Sequence, residues 1–109
     1  MENRRYKLHD LLCDALGSRY VYFQPPESIK LKYPAIIYSR NDIDNRFANG
    51  GVYSQNTSYS VTVIDEDPDS EIVAKVSRLP SCRFDRHYTS EGLNHDVFTI
   101  YFKEDDVYG

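Results

Sequence analysis

Residues 58–80 read SYSVTVIDEDPDSEIVAKVSRLP, a strand, a sharp turn and a capped helix in one short span. Tyr59, Val61 and Val63 alternate with Ser60, Thr62 and Ile64, the period of a strand that is apolar on one face and mixed on the other. Asp65 to Asp67 stop that strand. Asp67 is predicted as a helix N-cap and Pro68 as the first helical residue, where its missing N–H costs nothing. Asp69 and Glu71 add negative charge at the positive end of the helix dipole. Ile72, Val73, Val76 and Leu79 then fall within about a third of the helix circumference at about 100° per residue, while Glu71, Lys75 and Arg78 face water. Pro80 ends the helix. Such a unit buries itself only by folding the helix back across a sheet. No catalytic motif lies on it.

On the N-terminal side, residues 3–16 read as a helix with Leu8, Leu11, Leu12, Ala15 and Leu16 in one stripe and Gly17 as the left-handed residue after its end. Arg4, Arg5 and Lys7 crowd its first turn against the dipole, so a frayed, solvated start is expected. Tyr20 to Phe23 is a short β-prone run cut off by Gln24, Pro25 and Pro26, which fits an edge strand or connector. Lys30 to Ser39 reads as a buried strand with Pro34 at its start. Residues 41–51, NDIDNRFANGG, read as a polar, mobile loop with Asn-Gly-Gly turn chemistry and one exposed aromatic, Phe47. Val52 to Ile64 is the return strand of a hairpin with a long arm. An arm of this kind is either a contact element or a loop with no role.

On the C-terminal side, Cys82 to Thr89 reads as a strand with Phe84 inward. Glu91-Gly92 forms a turn, and Val97 to Lys103 completes a second hairpin with Phe98, Ile100 and Phe102 on one side and Val97, Thr99 and Tyr101 on the other. The tail, Glu104, Asp105 and Asp106, is acidic and expected to be loose. The predicted order is α-β-β-β-α-β-β: an α+β chain with an antiparallel-dominated sheet and both helices packed on one face. No internal repeat or linker interrupts residues 1–109, so one domain is expected.

Composition narrows the function classes. At 109 residues, with a hydrophobic fraction of 40% and an aromatic fraction of 14%, the chain is large enough for one core without staples. A formal charge of −4, with both signs mixed along most of the sequence, gives no broad cationic surface for gripping phosphates. No apolar run approaches the roughly 20 residues of a membrane helix, and MENRRYKLHD lacks the apolar centre of a signal peptide, so no membrane role and an intracellular protein are expected. Cys13 and Cys82 sit among apolar neighbours and read as reduced, partly buried thiols. Ten tyrosines without a tryptophan suit protein interfaces, although strand propensity explains most of them as well.

Two constellations invite a metal or catalytic reading. Asp65, Glu66, Asp67 and Asp69 form an acidic run, but calcium loops need ligands at alternating positions, a central Gly and a distal Glu, and Pro68 stands where the loop should bend. Helix capping explains these residues with less. Cys82, Asp85, His87 and His95 are the candidates for zinc or acid–base work, because a hairpin brings strand residues close, yet no pair has a recognised ligand spacing. With no GxSxG, HExxH or Gly-rich phosphate loop present, the chain is read as a non-enzyme with no cofactor.

Three segments carry a resemblance: LHDLLCDALGSRYVYFQPPESIKLKYPAIIYS, YSVTVIDEDPDSEIVAKVSRLPSCRFDRHY and LNHDVFTIYF, which together span most of residues 8–102. They resemble the tail completion or tail terminator (head-tail joining) proteins of long-tailed bacteriophages. The most specific pieces are Val21 to Pro26, then Thr62 to Asp65 with Asp67 to Ser70, then Leu93 to Phe98. The resemblance implies a virion protein made in the bacterial cytoplasm. It would form a homo-oligomeric ring, typically of six copies, that caps the finished tail tube, halts its polymerisation and docks the head connector. It implies no cofactor and no enzymatic step. Its partners would be copies of itself, the tail tube protein and the head-tail connector, with DNA passing through without specific binding. Asp42, Asp44, Arg46, Phe47 and Tyr53 are the residues expected at the subunit or tube interface, chosen for the exposed aromatic in a polar loop. Two rival readings stand beside it: a small adaptor or inhibitor that binds another protein as a monomer or dimer, and a metal-dependent hydrolase using Asp85, His87 and His95.

Overall fold

A computed structural model of the protein describes residues 4–48 and 51–103, with side-chain placement described for 5–41 and 57–101. The elements follow the order α1 (Arg4–Leu16), β1 (Val21–Phe23), β2 (Ala35–Ala48), β3 (Gly51–Asp65), α2 (Glu71–Ser77), β4 (Cys82–Ser90) and β5 (Leu93–Lys103). The strands form one sheet in the spatial order β1-β2-β3-β5-β4. Only β1 and β2 run parallel; every other neighbouring pair is antiparallel. The order α-β-β-β-α-β-β and the antiparallel-dominated α+β class are those read from the sequence.

The alternation of β3 sorts the layers. Tyr59, Val61 and Val63 are buried on the face that carries both helices, and partners in the register continue that face through Ile36 and Tyr38 of β2 and Phe98 and Ile100 of β5. Leu8, Leu12 and Ala15 of α1 and Val76 of α2 close over them, with Leu11, Leu16, Ile72, Val73 and Leu79 packed at the margin. Six of these side chains (Leu8, Leu12, Ile36, Val61, Val63 and Val76) are fully excluded from solvent. Burial of that kind contributes about 1.5–3 kcal/mol per side chain relative to exposure, which is what holds two short helices on the sheet. The opposite face carries no helix. It carries Ile37, Ser39, Ser60, Thr62, Ile64, Val97, Thr99 and Tyr101, a mixed set in which Ile64, Val97 and Thr99 are buried.

Several boundaries depart from the sequence reading. The stretch 41–48 is not a loop: β2 runs on through it, paired with β3 from Asp42 opposite Ser58 to Ala48 opposite Gly51. Among the described residues, positions 45–48 and 51–55 have no third strand, because β1 reaches only Tyr38 and β5 only Asn56. They form a two-stranded ribbon beyond the sheet, in a molecule measuring 52 × 25 × 24 Å. A backbone ladder imposes no apolar periodicity on its sequence, which is why this polar stretch reads as a loop.

The N-cap of α2 is Ser70, whose Oγ accepts from the Ile72 N–H at 3.2 Å, and the helix begins at Glu71. Asp67 does not cap it. Asp65 Oδ1 accepts from the Asp67 N–H at 3.1 Å and Asp67 Oδ1 from the Asp69 N–H at 2.9 Å, so the carboxylates fold successive turns of the connection and leave the cap to the hydroxyl. The helix ends at Ser77 with Arg78 as C-cap, before Pro80 is reached. β5 starts at Leu93, immediately after the Glu91-Gly92 turn, where both residues have positive φ. Gly17, at φ 81°, donates its N–H to the Cys13 carbonyl at 2.8 Å and closes α1 as expected.

Candidate functional site

Of the interface residues expected from the sequence, Arg46, Phe47 and Tyr53 fall on the two-stranded ribbon, and Asp42 and Asp44 on β2 just before it, where β3 is still paired with β5. Asp42 stands opposite Ser58, Asp44 opposite Asn56, Arg46 opposite Ser54 and Phe47 opposite Val52, with Tyr53 passed over at the register shift between Arg46 and Phe47. Their backbone positions share one arm; their side chains lie outside the described residues. So do Asn49 and Gly50 of the turn, the Phe102 side chain, residues 1–3 and the acidic tail 104–109.

The zinc or acid–base candidates are dispersed. The β4–β5 register sets His87 opposite Asp96 and Tyr88 opposite His95, and successive strand positions point to opposite faces, so the two histidines are separated by the sheet. His87 Nδ1 pairs with Asp96 Oδ1 at 2.8 Å, and His95 stacks on Tyr88 with ring centroids 4.6 Å apart. Asp85 accepts from the Thr99 hydroxyl and lies 3.6 Å from Arg83. Burial, with Asp85 as a lesser cause, raises the Cys82 thiol to about 11, so it is not primed as a thiolate. Among the described residues no cluster of three metal-ligating side chains forms, in the acidic run or in this hairpin.

Two features were not read from the sequence. The first is a polar knot under the start of α1. Tyr38 is 1% exposed, and its hydroxyl meets His9 Nδ1 at 2.8 Å. Its ring packs against Phe23 and Tyr59 at centroid distances of 5.1 and 6.1 Å. The Arg5 guanidinium lies 4.3 Å from the Phe23 ring centroid and 4.8 Å from that of Tyr6. Arg5 also interacts with the Tyr38 hydroxyl, although burial outweighs it and raises the Tyr38 phenol above its usual range. Of the basic residues of the first turn, Arg5 is therefore held against aromatic faces. The signal lay in its distance of one turn from His9, but nothing in the chain order says that Tyr38 lies beneath both.

The second is a groove. Parallel neighbours cannot be joined by a tight turn, so residues 24–34 must cross one face between β1 and β2. The helices occupy one face, and the connection crosses the other, leaving a groove of about 400 Å³ lined by Pro25, Pro26, Glu27, Ile29, Leu31 and Ile37, with Gln24 and Ser39 at its margin. The lining is mainly apolar, with Glu27 its only charged residue. No described helix is long and apolar enough to cross a membrane. Comparison with protein-family models and with curated proteins finds no match to either.

Proposed function

We propose that this chain is a structural subunit of a ring, of six copies as in the tail terminator proteins it resembles. The ring caps the tail tube of a long-tailed bacteriophage, halts tube elongation and presents the surface on which the head connector docks. The observation that carries this reading is the ribbon at positions 45–48 and 51–55, which among the described residues extends past every other strand of its own sheet. An isolated two-stranded ribbon is marginal in water, so an arm of this length has its use where something outside the chain covers it. Sheet edges at β1 and β4 offer two different surfaces, the requirement for a head-to-tail contact that closes by rotation. A net charge of −4 suits a lumen through which DNA passes without being gripped. The reading assigns the protein to the virion, with itself, the tube protein and the connector as partners, and requires no cofactor or chemical step.

Electron microscopy of particles assembled without this protein tests it. Overlong tails and heads left unjoined are the expected result; tails of normal length joined to heads would refute the function.

A further inference from the structure

We infer that successive copies in the proposed ring are joined by insertion of Phe84 of one copy into the Pro25–Leu31 groove of the next. The inference rests on the ring reading and names its contact. Every residue from Arg83 to Ser90 on the β4 edge is exposed, and Phe84, at 52% exposure, is the most exposed large apolar side chain on the sheet among the described residues. It is also held in place: its ring packs edge-on against Phe98 at 5.5 Å. An exposed aromatic already fixed in one orientation loses little freedom on binding, which is the character of an interface anchor.

The groove lies at the opposite edge of the same sheet. β1 and β4 are separated by four strand spacings of about 4.8 Å, roughly 19 Å, so the knob cannot reach the groove of its own chain. A convex apolar feature at one edge and a concave one at the other fit only between copies, and the contact is heterologous by construction. Arg83 and Arg86, opposite Thr99 and Val97, stand on the same β4 edge as Phe84 but on the other sheet face, the face that also carries the groove with Glu27 as its charged lining residue. Arg83 is 69% exposed and its contact with Asp85 is long, at 3.6 Å, so little holds it from a second carboxylate. Ile29, at 38% exposure, forms part of the groove wall that a partner ring would cover.

A photo-reactive phenylalanine analogue in place of Phe84, irradiated in assemblies formed on purified tail tubes, tests the contact by peptide mapping. Adducts to residues 25–37 of a second copy are expected. In parallel, Phe84→Glu and Ile29→Glu should each weaken self-association at least about 30-fold, the scale of an interface anchor. Both sites are exposed, so thermal melts close to wild type will show that the variants fold. A mixture of the two retains one intact knob and one intact groove, and should recover a pair of chains but no ring. If the wild type assembles and adducts map elsewhere on the second copy, or if both variants associate like the wild type, the knob-and-groove contact is wrong while the ring survives. A wild-type chain that stays monomeric with and without tubes removes both.

Discussion

Replacing Tyr38 with phenylalanine isolates the polar knot from the packing around it. The variant keeps a ring in the same buried place against Phe23 and Tyr59, so the apolar contribution is nearly unchanged. What it loses is the hydroxyl, 2.8 Å from His9 Nδ1. Deleting one such hydrogen bond costs about 1 kcal/mol, and leaving a part-buried imidazole without its partner adds up to about the same again. The expected loss is therefore about 1–2 kcal/mol, or roughly 5–10 °C in melting temperature for a domain of this size. Because burial raises the folded-state phenol above its ordinary value of 10.0, Tyr38 contributes stability that is full below pH 10 and is lost as pH rises above it. The phenylalanine variant has no such contribution to lose, so its deficit should narrow above pH 10. Urea titrations of wild type, Tyr38→Phe, His9→Ala and the double variant, at pH 7.5 and in steps above pH 10, give the cycle. A coupling energy of at least about 0.5 kcal/mol between the two sites is expected. Strict additivity, or a phenylalanine variant as stable as the wild type, would refute the knot.

Two further perturbations check local assignments. Ser70→Ala should cost about 1 kcal/mol by urea denaturation, the usual loss for an N-cap, and more than Asp67→Ala, whose carboxylate only folds an exposed turn; the reverse order would return the cap to Asp67. Cys82 is held neutral by burial, its thiol raised from 9.0 to about 11, so its contribution is complete below pH 9 and lost as pH rises through about 11. The full shift corresponds to about 3 kcal/mol, and screening at this half-buried site reduces it to about 1–2 kcal/mol. Under reducing conditions, stability should therefore fall less steeply between pH 9 and 11 in Cys82→Ala than in wild type, and equal slopes would contradict the burial.

What was legible in the sequence is what apolar periodicity encodes. Leu8, Leu12 and Ala15 on one helix stripe and Tyr59, Val61 and Val63 on one strand face are buried because each faces the other, and both patterns are local. The Glu91-Gly92 turn was legible for the same reason, since its chemistry needs only adjacent residues. The second half of β2 was not: positions 42–48 pair with a strand as polar as themselves, and hydrogen-bond ladders leave no hydrophobic pattern. Nor was the cap of α2, since Asp65, Asp67 and Ser70 are all competent caps and only the turn geometry decides among them. Phe84 was read as inward because β4 alternates, but an edge strand has a neighbour on one side only, and half of the ring remains exposed. The groove and the Arg5, His9 and Tyr38 knot join residues far apart in sequence, a product of topology that no spacing reveals. For the expected interface, the sequence supplied residue types, and the backbone sets Arg46, Phe47 and Tyr53 on the ribbon and Asp42 and Asp44 before it.

The central claim is that this chain is built to fit against copies of itself at the end of a tube. Native mass spectrometry of the species released from purified tail tubes after incubation with the protein tests it most directly. A closed assembly with a mass close to six times that of the 12.7 kDa chain is the predicted result. Tubes that bind no protein, with the chain monomeric at every concentration, would contradict it.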